Sequence, residues 1–246
     1  MTDYRIYRFS KKEWVENGLF FLMLAGGIAY LFYRSWIAFV CLLPFGNYFF
    51  RIRRESLITK RQRTLERQFL AGIRAVSSAL TAGYSVEHGF QDACRELEQI
   101  YEPGEMILEE FHYISSQLGM NRNLEDLLQD LADRSGAEEI LSFAEIFSAA
   151  KRTGGNLLSI IRNTAWNIGQ KEETRREIET CLSAKRLEQN IMSLVPAMIL
   201  FYVQLVSPGF LDGMYHNPVG IAVMTVCLLV YGAAWLWGRK IVDIDV

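Results

Sequence analysis

Histidines and cysteines are the residues of this sequence whose side chains most readily hold metals or act as catalysts. The chain has three histidines: His88 in the first turn of an expected helix, His112 in the middle of another, and His216 in a loop. None of them belongs to an HExxH metal-binding motif, and the four cysteines form no CxxC pair. The spacing therefore predicts a protein without a bound metal or a cofactor.

Paired carboxylates and glycine-rich loops are the other patterns that could support catalysis. Adjacent glutamates occur at 109–110, 138–139 and 172–173. Neighbouring residues of a helix point in different directions, so these pairs cannot share a proton as catalytic dyads do. The phrase TGGN at 153–156 lacks the lysine of a phosphate-binding loop. We therefore expect that the protein is not an enzyme.

Four strongly apolar runs predict helices that cross a membrane. The runs cover residues 18–33, 36–50, 191–206 and 219–237. A helix needs about 20 residues to cross a bilayer core of about 30 Å. Only Arg34 and Ser35 separate the first two runs, which predicts a tight hairpin, although Pro44 and Gly46 weaken the second run. The alternative is that two of the runs are helices of a soluble core.

The distribution of Arg and Lys predicts which side of the membrane each segment faces. Residues 51–67 carry seven Arg or Lys against two Glu, and the N-terminal segment and the C-terminal tail are also basic. The loop at 207–218 has neither Arg nor Lys. Because cytoplasmic segments next to spans are enriched in Arg and Lys, we expect both termini and the middle region in the cytoplasm. The protein would then be a multi-pass protein of the inner, or cytoplasmic, membrane.

Three parts follow from this topology: an N-terminal tail and hairpin at 1–50, a cytoplasmic region at 51–190, and a second hairpin with a short tail at 191–246. Basic side chains at the start of the middle region are expected to contact anionic lipid headgroups. They are Arg51, Arg53, Arg54, Lys60, Arg61 and Arg63. A nucleic-acid patch is the alternative, but the position beside a span favours membrane lipid, so no nucleic acid is expected.

Helical periodicity dominates the middle region and predicts an antiparallel bundle of about six helices. Apolar residues recur there at three- and four-residue steps, which gives each segment one apolar face. The expected core includes Phe69, Ile73, Val76, Phe90, Ile107, Phe111, Ile114, Leu124, Leu128, Ile140, Phe143, Phe147 and Ile161. The last helix would run from 156 to 206, with a kink near Pro196. The fold predicted for the whole chain is an all-α, polytopic membrane protein.

Short phrases around a glycine repeat in this region and predict sharp corners between helices. In each phrase, a glycine stands where a helix end needs a left-handed residue, and a Ser or Asn follows where the next helix needs an N-cap. The three pairs are Gly83 with Ser85, Gly119 with Asn123 and Gly154 with Asn156. The first and third phrases match each other more closely than the second. Ordinary helical hairpins with a coincidental likeness are the alternative explanation.

The predicted bundle is acidic. Residues 68–170 carry 15 Asp or Glu against 7 Arg or Lys. Such a surface is repelled by anionic lipid and is available for a cationic partner protein. The alternative is a solvated face without a partner.

The phrases LTAGYSVEHGFQDA and SAAKRTGGNLLSIIRNTA lie between a basic segment and a two-span C-terminus, and they resemble the type II secretion system F domain. The layout is most similar to the TadB/TadC-like branch of tight-adherence pili. The resemblance implies a platform that couples a cytoplasmic hexameric secretion ATPase to the extraction and polymerisation of pilin-like subunits. In it, Gly83, Ser85, Gly154 and Asn156 would shape the corners of the domain. Family members usually have two bundles, so a single bundle implies pairing with itself or with a paralogous subunit.

Two other functions stay open. A membrane-anchored signalling or regulatory scaffold could also combine two hairpins with a helical cytoplasmic domain. His112 would be its only candidate phosphoacceptor, and no kinase domain follows it. A small transporter subunit is disfavoured because the apolar runs contain almost no ionisable groups.

Overall fold

The computed structural model of the protein describes residues 2–7, 9–154, 157–207, 209–210, 212–215 and 217–242. Within these ranges the chain is helical and contains no strand. The helices are α1 Lys11–Phe32, α2 Trp36–Leu42, α3 Phe45–Thr81, α4 Val86–Ile100, α5 Met106–Gly119, α6 Leu124–Ser135, α7 Glu138–Thr153, α8 Leu157–Val206, α9 Asp212–Tyr215 and α10 Pro218–Val242. The predicted all-α class is therefore confirmed.

The helices belong to two compact units. The first unit consists of Met1–Arg8 and Arg54–Thr174 and is called the bundle below. The second consists of Phe9–Arg53 and Arg175–Val246 and is called the membrane unit. Helices α3 and α8 contribute residues to both units.

One apolar core holds the bundle together. Helices α4 to α7, the later turns of α3 and the first turns of α8 each turn one apolar face towards this core. At its centre, Phe69 packs edge-on against Phe111 and Phe143, with ring centroids 6.5 and 5.3 Å apart, and Phe90 stacks on Phe111 at 5.6 Å. Burial of one such ring stabilises the fold by roughly 1.5–3 kcal/mol, so these rings anchor the bundle.

Helices α3 and α5 approach each other closely at Gly72. A Cβ atom on this glycine would lie 2.3 Å from Cζ of Phe111 and 2.9 Å from two more atoms of the same ring. Real side chains do not approach so closely, so the Phe111 ring occupies the space of the missing side chain. Gly72 is therefore required by packing.

The second apolar run, predicted as a span at 36–50, is not one continuous helix. Helix α2 ends at Leu42, residues 43 and 44 form a turn, and α3 begins at Phe45. Pro44 explains the break because it disfavours helical backbone in the preceding residue and has no amide hydrogen to donate. In the described part of the chain, the helices long and apolar enough to cross a membrane are α1, α8 and α10.

The two legs of the predicted N-terminal hairpin nevertheless pack side by side. Near the start of α1, Trp14 stacks on Phe50 with ring centroids 5.8 Å apart. Further along α1, Phe21 lies 3.1 Å from the place where a Cβ on Gly46 would stand. Residues later in α1 thus lie beside residues earlier in α3, which is the arrangement of an antiparallel hairpin.

Helix α8 runs without interruption from Leu157 to Val206 and includes Pro196, so the predicted long helix is confirmed over these residues. No residue in the apolar window of α8 is buried, and only 11% of the corresponding window of α10 is buried. Apolar side chains exposed around a helix of this length are typical of contact with lipid.

Candidate functional site

The first predicted corner, between α3 and α4, has the expected geometry. Gly83 has a φ of +93°, in the left-handed region that glycine adopts without steric penalty. Its amide donates to the carbonyl oxygen of Leu80 at 3.0 Å, and the next amide donates to that of Ala79 at 3.2 Å, which completes a Schellman motif. Ser85 Oγ accepts a hydrogen bond of 3.2 Å from the His88 amide and so caps α4.

The middle corner, between α5 and α6, uses a different left-handed residue from the predicted one. Gly119 is the last residue of α5, and the residue with positive φ is Asn121, at +60°. The amides of Asn121 and Arg122 donate back to carbonyl oxygens in the last turn of α5, as in the first corner. Asparagine tolerates this conformation because its short polar side chain can hydrogen-bond locally. Asn123 lies at the N-cap of α6, but its side chain makes no capping hydrogen bond.

Two further glycines end helices in the left-handed conformation. Gly154 ends α7 with a φ of +67°, and its amide donates to the Ala150 carbonyl oxygen. Gly136 ends α6 in the same way, with a φ of +62°. Asn156, the predicted cap of α8, lies outside the described residues. The repeated corner is thus a set of left-handed helix ends, in which Asn121 takes the role predicted for Gly119.

Gly83→Ala is expected to destabilise the bundle by about 1–2 kcal/mol, the cost of a side chain in the left-handed region. No atom lies within 4 Å of the added Cβ, so backbone strain is the only penalty. Gly119→Ala is the matched control, because its Cβ also meets nothing within 4 Å and its φ is not positive. Thermal unfolding of both variants in detergent measures the difference. A lower Tm for Gly119→Ala than for Gly83→Ala would contradict this explanation of the corner.

The basic side chains predicted to contact lipid differ in their surroundings. Arg51, Arg53, Arg54 and Lys60 are exposed, whereas Arg61 and Arg63 are half-buried. The Arg61 guanidinium lies over the ring of Tyr4, 4.8 Å from its centroid. Arg61 therefore has a partner inside the bundle, and lipid contact by this group of residues stays a prediction.

An N-terminal arm, residues 2–7, packs into the bundle and was not predicted from the sequence. Tyr4 is only 1% exposed although it precedes α1. Its hydroxyl donates to Oε1 of Glu110 at 2.9 Å, and its amide donates to the carbonyl oxygen of Arg134 at 2.9 Å. The arm therefore attaches the segment before α1 to helices α5 and α6.

Glu110 is at the centre of this attachment. It is 1% exposed, and the guanidinium of Arg134 donates to both of its carboxylate oxygens at 2.7 Å. Arg134 also donates to Asp130 at 2.8 Å and to the carbonyl oxygen of Thr2 at 3.2 Å. A carboxylate is tolerated at such depth when it is paired and hydrogen-bonded in this way.

The pKa shifts of Tyr4 and Arg134 favour a structural role for this cluster over a catalytic one. Burial, and next the Glu110 carboxylate, raise the pKa of Tyr4 above its ordinary value. The hydrogen bond to Glu110 raises the pKa of Arg134. Tyrosine and arginine already hold their protons at neutral pH, and these shifts keep the Tyr4 hydroxyl and the Arg134 guanidinium protonated. A sequence signal was present: Glu110 lies on the apolar face of α5, between Ile107 and Ile114.

A second polar cluster joins helix ends within the membrane unit. The Tyr215 hydroxyl donates to the Leu31 carbonyl oxygen at 2.8 Å and accepts from the Gln204 amide at 2.6 Å. The hydroxyls of Tyr33 and Thr225 lie 2.9 Å apart. The end of α1, the end of α8 and the beginning of α10 therefore meet at one end of the membrane unit.

These observations define an all-α protein in which a helical bundle is joined to helices long and apolar enough to span a membrane. The mean hydropathy of the apolar windows of α1, α8 and α10 is 1.6, 1.5 and 2.2, which indicates a membrane protein. Comparisons with family models, curated proteins and solved structures give no match to the chain.

Proposed function

We propose that the chain is a non-enzymatic platform that couples a hexameric secretion ATPase to the extraction and polymerisation of pilin-like subunits. The machine would be a type II secretion system or a tight-adherence pilus. The observation that carries the proposal is the attachment of the bundle. Three chain segments lead from the bundle towards membrane helices: the arm before α1, the middle of α3 and the middle of α8. Several attachments suit a domain that transmits force, and the glycine corners resemble the F domain.

The arm supports a topology in which the N-terminus and the bundle share one side of the membrane. Tyr4 is buried in the bundle, and α1 begins at Lys11. The chain between the arm and the bundle must then cross the membrane an even number of times. Because α1 has the length and apolarity of a span, the return leg of α2 and the first turns of α3 becomes the second crossing.

The break in the return leg is compatible with a crossing. Broken helices occur in membranes when the freed backbone groups find partners. At the turn, the Leu43 amide donates to the Val40 carbonyl oxygen at 3.3 Å, and the Gly46 amide donates to the Leu43 carbonyl oxygen at 3.0 Å. Pro44 has no amide hydrogen to satisfy. These bonds reduce the cost of placing the turn in lipid.

The C-terminal half supports the same topology. The end of α8 meets the end of α1 through Gln204 and Leu31, so both helices would end at the far side of the membrane. Helix α10 would return and bring Arg239 and Lys240 to the side of the bundle. Arg and Lys are abundant at 51–67 and absent from 207–218, which favours the cytoplasm for the bundle and both termini.

In this mechanism the acidic bundle receives the motion of the ATPase, and α8 passes it to the membrane unit. The glycine corners then have an architectural role. Gly83→Val and Gly154→Val place a β-branched side chain at positive φ, at a cost of roughly 1–3 kcal/mol each, and should impair assembly of the fibre. A second copy of the chain or a paralogous subunit would complete the platform.

Photo-crosslinking in the source cells tests the proposal. A photoreactive residue replaces Glu96 or Glu102, both exposed on the bundle, or Phe210, which is 76% exposed in the segment between α8 and α10. The bundle positions should crosslink to a secretion ATPase, and the Phe210 position should not. Recovery of a kinase or response regulator at the bundle positions would contradict the platform and favour a signalling scaffold.

A further inference from the structure

One cluster apart from the corners and the arm brings together three metal-ligating side chains. Cys94 and Glu98 lie one helical turn apart on α4, and His112 lies on α5. The Cys94 sulfur is 3.4 Å from Nδ1 of His112, and Nε2 of His112 is 3.1 Å from Oε1 of Glu98. One ligand atom from each residue lies within 4.8 Å of the others.

We propose that Cys94, Glu98 and His112 form a binding site for a zinc-class divalent cation. Sulfur, imidazole nitrogen and carboxylate oxygen together are a donor set typical of zinc. Zinc–sulfur and zinc–nitrogen bonds of about 2.3 and 2.0–2.1 Å at a tetrahedral angle hold the two ligand atoms about 3.5 Å apart. The observed separation of 3.4 Å between the Cys94 sulfur and Nδ1 of His112 matches this value closely.

Without the ion, the hydrogen bonds of the cluster already orient the ring. When the imidazole proton is on Nε2, this N–H donates to Glu98 and the lone pair of Nδ1 faces the Cys94 thiol. A carboxylate on the far nitrogen fixes the orientation of a ligating histidine in the same way. Nδ1 and the sulfur therefore already face each other before any ion arrives.

The site has a buried base and an open mouth. Cys94 is 4% exposed, whereas the side chains of His112 and Glu98 are 56% and 49% exposed. Entry of the ion releases the thiol proton to solvent, and the thiolate and the carboxylate then neutralise its two positive charges. To reach the ion, the exposed Glu98 carboxylate leaves Nε2 of His112 by a side-chain rotation, and water fills the fourth position. The bound ion would join α4 to α5.

Metal titration of the full-length protein in detergent tests this site and does not depend on the platform function. After chelator treatment, Zn²⁺ should bind at one ion per chain by calorimetry, and Co²⁺ should give a thiolate-to-cobalt charge-transfer band. His112→Gln and Glu98→Gln should each weaken Zn²⁺ binding by at least about tenfold. Because both side chains are exposed, these variants keep the fold. Cys94→Ala should abolish the cobalt band.

The matched controls are Cys181→Ala, at an exposed cysteine on α8, and His88→Gln on α4. Both should leave the zinc affinity and the cobalt band unchanged. Absence of saturable Zn²⁺ binding to the parent protein, or an unchanged affinity in His112→Gln, would overturn the proposal.

Discussion

Glu110→Ala is expected to destabilise the bundle by about 3–5 kcal/mol, the usual penalty for breaking a buried ion pair from one side. The substitution leaves the guanidinium of Arg134, which is 15% exposed, without the bidentate partner that balances its charge. It also removes the acceptor of the Tyr4 hydroxyl. Thermal unfolding of the full-length protein and hydrogen exchange in α5 and α6 measure the loss.

Three comparisons sharpen this prediction. Glu109→Ala removes the exposed neighbour of Glu110 and should change the stability by no more than about 0.5 kcal/mol. Tyr4→Phe removes one hydrogen bond and should cost about 1 kcal/mol. Glu110→Leu combined with Arg134→Met replaces both charges and should recover much of the loss. Similar stabilities for Glu110→Ala and Glu109→Ala would contradict the importance assigned to the ion pair.

Gly72→Ala is expected to have the second largest effect, a loss of about 1–3 kcal/mol from overpacking. The new Cβ would stand 2.3 Å from Cζ of Phe111, a ring that also contacts Phe69 and Phe90. The ring cannot move without disturbing these neighbours. Thermal unfolding measures the loss, and hydrogen exchange should locate it in α3 and α5.

Gly89→Ala is the matched control for Gly72→Ala. Gly89 is also a buried helical glycine, but its Cβ would meet the nearest atoms at 3.6 Å, an ordinary van der Waals distance. This variant should be neutral or slightly stabilised, since alanine favours helix by roughly 0.5–1 kcal/mol over glycine. Phe111→Leu should reduce the penalty of Gly72→Ala, because the two positions share one space. Equal Tm values for Gly72→Ala and Gly89→Ala would count against the close approach of α3 and α5.

Much of the bundle could be predicted because its signal is local. The three- and four-residue spacing of apolar side chains depends only on the helical repeat, and the predicted residues Phe69, Phe90, Phe111 and Phe143 are all buried in one core. Gly83 could be placed at a left-handed helix end for the same reason, since the signal lies within one turn.

Two of the features that the sequence did not show depend on contacts between distant segments, and two are local. The need for glycine at position 72 arises from a ring that is remote in sequence, on α5. Tyr4 meets Glu110 across 106 residues, and no periodic pattern reports such a contact. Asn121, two residues beyond Gly119, adopts the left-handed conformation, although propensity alone favours the glycine. Pro44 indicates a weak second run, and in the structure the helix breaks there.

In the proposed topology, an N-terminal pair and a C-terminal pair of membrane crossings would hold the bundle in the cytoplasm. Single-cysteine variants of a cysteine-free chain can test this topology in intact cells with a membrane-impermeant maleimide. Suitable positions are Met120 in the bundle, Trp36 at the beginning of α2 and Phe210 between α8 and α10, all well exposed.

The topology predicts that Trp36→Cys and Phe210→Cys react in intact cells, whereas Met120→Cys reacts only after the membrane is permeabilised. Labelling of Met120→Cys in intact cells would place the bundle outside the cytoplasm and contradict the account. Protection of Trp36→Cys together with Met120→Cys would equally contradict the two N-terminal crossings.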